Sequence, residues 1–312
     1  MAPYRILSVD GGGIRGLYAA VLLDRLCAAV PALIDRVDLL AGTSTGGILV
    51  LGLARGLPPG DLVRLYAEHG HEVFDRSWER DLRDVGGLTG AKYDNIRFKE
   101  ILTQILGETK LADLGKRVLV PTFDLDNRGE QGQVRLWKPK LFHNFPKPDA
   151  DGEERAVDVA LRTSAAPTYF PVYQHYIDGG LVANNPSMAA LAQALDPAGG
   201  NQVLADVHLL SLGTGWNPTY IEGENLDWGM GQWARPLVSL MIDGMMGVAD
   251  FQCARLLGRR YWRLAPMLPR PIALDDVNKT ADLIAFARQA DLAETLAWIQ
   301  QNFLTSGSDL AA

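Results

Sequence analysis

Apolar strands alternating with helical stretches along this 312-residue chain predict an α/β fold. Its central sheet should be mostly parallel, with helices on both faces as three layers. Three observations carry the prediction. Runs such as 4–9 (YRILSV), 37–41 (VDLLA) and 207–212 (VHLLSL) are apolar almost throughout, as strands buried on both faces are. Glycine-rich turns follow 9, 41 and 177, where short strands would end. Stretches of helical period separate the strands.

The elements follow in order. Residues 4–9 read as a strand stopped by glycine, and 14–29 as a helix closed by Pro31. A second strand, 37–41, runs into GTSTGG and an apolar helix over 48–55. Residues 61–74 and 94–106 are amphipathic helices; the charged, glycine-bearing 75–91 between them reads as a long loop or lid. Strands are predicted at 117–125 and 133–137, then a polar loop over 143–155 and a helix over 156–164. The strand 172–177 leads to DGG, and Asn185–Pro186 opens a helix, because proline fits a first turn. After 207–212 the remainder is mostly helical, behind a lid-like stretch over 216–235. No repeat, low-complexity segment or linker interrupts the chain, so one domain over 1–312 is expected. In such folds ligands sit at the carboxyl ends of the strands.

Composition narrows the function. A net charge of −7 argues against binding long nucleic acid and against simple adsorption to anionic membranes. Cys27 and Cys253 are far apart and form no CxxC, which fits a reducing compartment. The start, MAPYRILSVD, has no leader pattern, and no uninterrupted run of about 18 uncharged apolar residues is present. A cytoplasmic protein with at most transient membrane contact is expected.

The first glycine turn, DGGGIRG over 10–16, places Gly11, Gly13 and Gly16 as G-x-G-x-x-G between a strand and a helix. With Asp35 near the position of a ribose-binding acid, a dinucleotide-binding protein is one reading. Arg15 and Asp10 have no work in that reading. The second turn is G-x-S-x-G: Gly42 and Gly46 flank Ser44 between a buried strand and an apolar helix. That is the layout of a nucleophile elbow, in which a sharp turn pushes the serine hydroxyl outward. Such a serine needs a base. The five histidines, His69, His71, His143, His175 and His208, lie in helix, loop or strand patterns and not at glycine-marked strand ends. Asp178 ends a strand and precedes Gly179-Gly180. Partly desolvated, its carboxylate could take the serine proton.

DGGGIRG, GTSTGG, SAAPTYFP (164–171) and DGG, in this order, resemble the patatin-like phospholipase family over roughly 4–215. The resemblance implies a patatin-like fold and an acyl hydrolase with a Ser–Asp dyad, Ser44 and Asp178, needing no histidine, metal or cofactor. It implies an oxyanion hole at Gly11, Gly12, Gly13 and Arg15, the arginine organising the loop. It says little about the more variable 216–312. Short proteins of this kind also resemble membrane-degrading anti-phage effectors switched on by cyclic oligonucleotides, which adds such an activator, a phospholipid substrate and a homo-oligomer to the expected partners.

Two further features are open. Met230, Met241, Met245, Met246 and Met267, behind Trp216, Trp228 and Trp233, read as a core helix, or alternatively as a flexible apolar rim for lipid or another subunit. Arg255, Arg259, Arg260 and Arg263 read as a solvated helix end running into the strand YWRL, or alternatively as a phosphate contact.

Overall fold

A computed structural model of the protein describes residues 3–74, 90–128, 132, 134–146, 150–223, 226–233 and 236–304. The strands are β1 (Tyr4–Val9), β2 (Leu39–Gly42), β3 (Arg117–Asp124), β4 (Lys138–His143), β5 (Tyr176–Asp178), β6 (Val207–Leu212) and β7 (Tyr261–Leu264). Among the described residues they form one sheet in the order β4-β3-β2-β1-β6-β7, with β5 attached to β3. β4 and β5 run antiparallel to β3; the other pairings are parallel.

The central strands are buried on both faces, and alternate side chains feed separate clusters. Leu7 and Val9 of β1 join one cluster; Ile6 joins the other. On the first face lie α1 (Gly16–Ala29), α2 (Thr45–Ala54), α3 (Pro59–Val73), α4 (Ile96–Leu106) and α5 (Ala156–Thr163). The short α6 (Gly180–Ala183) follows β5. On the second face α7 (Ser187–Leu195) contributes Ala190, Leu191 and Ala194. After α8 (Met230–Trp233), α9 (Leu237–Leu257) adds Cys253 and Leu257 there. α10 (Thr280–Gln289) packs against α1, and α11 (Ala293–Ile299) follows it. Every residue of α2 is buried, which explains its apolar character all round.

Two predicted strands move. Residues 134–137 are irregular and exposed, and the strand lies instead at Lys138–His143. Pro139 argues against a strand in sequence, but β4 is an edge strand, where proline's missing N–H costs no ladder bond. The predicted strand 172–177 is a tight hairpin. Tyr173 and Tyr176 exchange backbone hydrogen bonds, and Gln174 and His175 both adopt positive φ, 51° and 71°. That geometry usually announces itself by Asn-Gly, which is absent here. Only Tyr176–Asp178 is left as β5. Most of the predicted lid over 75–91 lies outside the described residues.

The methionine-rich stretch is not a core helix. Of α9 only Met246, Ala249, Cys253 and Leu257 are buried, a single stripe at helical spacing. Among the described residues one helix, Leu237–Arg260, is long and apolar enough to cross a membrane by length and composition. The sequence expectation of no such segment rested on an uninterrupted run, which Asp243 and Asp250 break.

Candidate active site

β2 and β5 share one edge of β3. Leu39–Ala41 pair with Arg117–Leu119, and Asp178 lies opposite Thr122 a few residues further along. β2 runs parallel to β3 and β5 antiparallel, so the carboxyl ends of β2 and β5 converge. This convergence brings Ser44 to Asp178.

Ser44 sits at φ 53°, ψ −123°, a conformation strained for any side chain and held by its neighbours. A Cβ on Gly42 would lie 2.2 Å from Gly46 O, and one on Gly46 would lie 2.3 Å from Val9 O. Both positions are closed to every residue but glycine. The Ser44 N–H donates to Thr163 Oγ1 (2.9 Å), whose hydroxyl donates to Pro121 O (2.6 Å). The elbow is thereby tied to β3.

The Ser44 hydroxyl donates to Asp178 Oδ2 at 2.6 Å. The other carboxylate oxygen accepts the Gly180 N–H at 2.7 Å. Both residues are buried, Ser44 at 8% and Asp178 at 6% exposure. Burial pushes the Asp178 carboxyl up from 3.8 to about 6, against the opposing pull of its hydrogen bonds to Ser44 and Gly180. Among the described residues no histidine hydrogen-bonds to Ser44 or Asp178: His69 borders the same cavity with its Nδ1 on Glu72 Oε1, and His208 Nδ1 contacts Asn302 Oδ1.

The glycine loop faces Ser44. A Cβ on Gly11 would lie 2.2 Å from Asn184 Oδ1 and 3.3 Å from Ser44 Cβ. Gly13 takes φ 57°, and a Cβ there would strike Leu274 O at 2.2 Å. The four predicted loop residues separate by role. The Gly11 N–H donates to Asn184 O and the Arg15 N–H to Gly12 O. The N–H groups of Gly12 and Gly13 have no backbone acceptor among the described residues. The Arg15 guanidinium is buried and donates to Gly215 O at 3.1 Å, so it holds the loop to the chain after β6. Thr214 and Asn184 also donate to Gly11 O, and Asn184 reaches Met246 Sδ on α9.

These groups line a cavity of about 300 Å³ whose apolar walls include Ile48, Leu65, Phe74, Phe98 and Phe170. Val238 and Ile242 of α9 close another side. An apolar cavity with a few convergent polar groups is the form of a small-molecule site and has room for an apolar chain. Asp35 lies on the turn before β2, at the amino ends of the parallel strands, whereas the glycine loop follows the carboxyl end of β1, so it could not reach a ribose bound there.

Three supporting residues escaped the sequence reading. Thr163 and Asn184 act through backbone contacts that no local pattern marks, although each adjoins a quoted motif. Arg263 is the third. The reading put it in a basic cluster, but it lies beneath the loop and pairs with Asp10: Nη2 to Oδ2 at 2.5 Å, with the side chains 8% and 1% exposed. Its Nη1 also donates to Ser211 Oγ at 2.7 Å. Arg260 likewise turns inward, to the Leu204 and Val207 carbonyls. Arg263→Met leaves the Asp10 carboxylate buried without a partner and is expected to cost about 3–5 kcal/mol. Denaturant unfolding checks this. Asp10→Asn/Arg263→Met should recover part of the loss.

Comparison with known proteins agrees with this geometry. The family model described as "Patatin-like phospholipase" matches residues 7–191. The chain is 35% identical over 268 residues to a protein of Pseudomonas aeruginosa (strain BWHPSA011 / Pa011) named cGAMP-activated phospholipase, covering 84% of this chain and 78% of that one. It is 33% identical over 332 residues to a protein of the same name from Vibrio cholerae serotype O1, covering 94% and 90%. It is 30% identical over 293 residues to Patatin-like protein 2 of Arabidopsis thaliana, covering 79% and 70%. The matched region holds the elbow, the glycine loop and Asp178 together, and on this match the chain belongs to the patatin-like phospholipase family and is a lipid acyl hydrolase.

Proposed function

We propose that the protein cleaves ester bonds of membrane phospholipids by a Ser44–Asp178 dyad and is switched on by a cyclic oligonucleotide. The observation that carries the dyad is the 2.6 Å hydrogen bond from Ser44 to a buried carboxylate, in a cavity bordered by the glycine loop.

In this reading Asp178 accepts the serine proton as Ser44 Oγ adds to the ester carbonyl. A carboxyl at about 6 is ionised at neutral pH, yet is a stronger base than an exposed one. The oxyanion meets the Gly12 and Gly13 N–H groups, and such donors contribute about 3 kcal/mol each. When the tetrahedral adduct collapses, Asp178 protonates the departing alcohol of the lysophospholipid. It then takes a proton from water, which attacks the acyl-serine. The fatty acid leaves and Ser44 regains its proton.

The activator rests on kinship with relatives named for activation by cGAMP. An unswitched phospholipase would also harm the cell that makes it. Action at the cytoplasmic membrane surface follows from the same reading. Residues 216–312 are taken as part of one catalytic domain, supported by β7 extending the sheet and by Leu274 O accepting the Ile14 N–H beside the glycine loop. The test is fatty-acid release from phospholipid vesicles, with and without a panel of cyclic oligonucleotides. Release with one nucleotide is expected. Release without any means a constitutive lipase and overturns the switch; none under any condition overturns phospholipid as substrate.

A further inference from the structure

The helix that walls the cavity also presents an apolar face to solvent. Val238, Ser239, Ile242 and Asp243 of α9 border the cavity. The stripe Met246, Ala249, Cys253 and Leu257 packs on the body of the protein. A separate stripe, Leu237, Met241, Val248 and Phe251, stands 47–60% exposed at the spacing of one helix face. That stripe carries no charge. Asp250 accepts the Tyr261 hydroxyl at 2.8 Å, and Asp243, half-buried, borders the cavity with Arg15. Arg255 comes only at the helix end, stacked on Phe251 at 5.2 Å. Just before the helix, Met230 is 89% exposed, and the Trp228 and Trp233 rings meet edge to face at 5.2 Å.

We propose that this outer face of α9, with Met230 and the tryptophan pair, is the surface by which the protein docks on a lipid bilayer. The inference rests on the reading of the cavity as a lipid site. The occupant follows from continuity: one helix forms both the docking face and a wall of the cavity holding Ser44. A lipid drawn from a bilayer against the outer face would enter along the helix without crossing open water. The face is uncharged, and the chain's net charge of −7 disfavours anionic surfaces, so the matching partner is zwitterionic lipid. Methionine and tryptophan suit a boundary that is apolar on one side and wet on the other. The buried stripe and the Asp250–Tyr261 bond hold α9 against the protein. It therefore lies in the plane of the interface and does not cross the bilayer.

Flotation with phosphatidylcholine vesicles tests this, using the full chain carrying Ser44→Ala so that the lipid survives. That protein is expected to float. Adding Met241→Glu and Phe251→Glu, both outside the cavity lining, is expected to lower partitioning at least about tenfold. With Ser44 restored and the activating cyclic oligonucleotide present in both lipid and ester assays, the double glutamate variant should lose hydrolysis of vesicle lipid by a similar factor. Its cleavage of a soluble short-chain ester should stay within about twofold. Unchanged partitioning, or no flotation of the parent, overturns the proposal. So does light scattering that shows Met241 and Phe251 holding a dimer in the absence of lipid. Failure of the ester-hydrolase reading shows up separately, as no Ser44-dependent cleavage of the soluble ester while flotation persists.

Discussion

Ser44→Ala is expected to remove ester hydrolysis, lowering kcat by about 10⁵-fold. The size follows from what goes and what stays. The alanine variant keeps the cavity, the glycine loop and the Gly12 and Gly13 N–H groups, which have no backbone acceptor among the described residues. On the proposed mechanism it loses the atom that forms the acyl-enzyme, so residual turnover must use water directly. The fold should survive, because the Ser44 backbone N–H keeps its bond to Thr163 and Asp178, which loses the hydroxyl's hydrogen bond, keeps the Gly180 N–H. Kinetics with a soluble ester, alongside thermal unfolding, check both halves. An unfolded variant would leave the chemistry unread. An intact fold with activity within about tenfold of wild type would remove Ser44 from the mechanism.

Asp178→Asn should lower kcat by about 10⁴-fold, as expected when a general base is lost and its geometry kept. It should also stabilise the protein at neutral pH. The folded-state pKa of about 6 exceeds the ordinary 3.8. Stability tied to the protonated carboxyl is therefore full below pH 3.8 and is lost as pH rises through about 6. Above that, wild type carries a buried charge that asparagine lacks. The upper limit of the gain is about 3 kcal/mol, and weaker amide contacts to Ser44 and Gly180 reduce it to about 1–2 kcal/mol. Unfolding at pH 8 and pH 4 should show the variant ahead at the higher pH only. The same carboxyl sets the rate profile: wild-type kcat/KM should fall below about pH 6 as the base becomes protonated. A profile flat down to pH 4.5 would exclude Asp178 as that base.

The catalytic candidates were legible because their geometry depends on glycine. Gly42 and Gly46 leave room for backbone within 2.3 Å of where a side chain would begin, so the elbow is written into residue types. Asp178 was marked by Gly179, where a Cβ would strike Pro121 O at 2.1 Å. The pairing of these two sites across β3 is tertiary: no spacing between Ser44 and Asp178 encodes that β2 and β5 meet end to end. Asp10 and Arg263, far apart in sequence, meet for the same reason. The Gln174-His175 turn was hidden because its residues are not those that favour positive φ. α9 was misread because a helix apolar on nearly every side looks alike whether it is enclosed by protein or faces outward; only its buried stripe tells the two apart.

The most direct test of the central claim is labelling with a fluorophosphonate ester, followed by peptide mapping. Ser44 Oγ should displace fluoride and form a stable phosphonyl bond, with Asp178 taking the proton. The expected result is a single adduct on the peptide containing Ser44, absent in Ser44→Ala and slowed in Asp178→Asn. An adduct on a different serine, or none on Ser44 in folded protein with its cavity open to a soluble ester, would contradict the Ser44–Asp178 dyad.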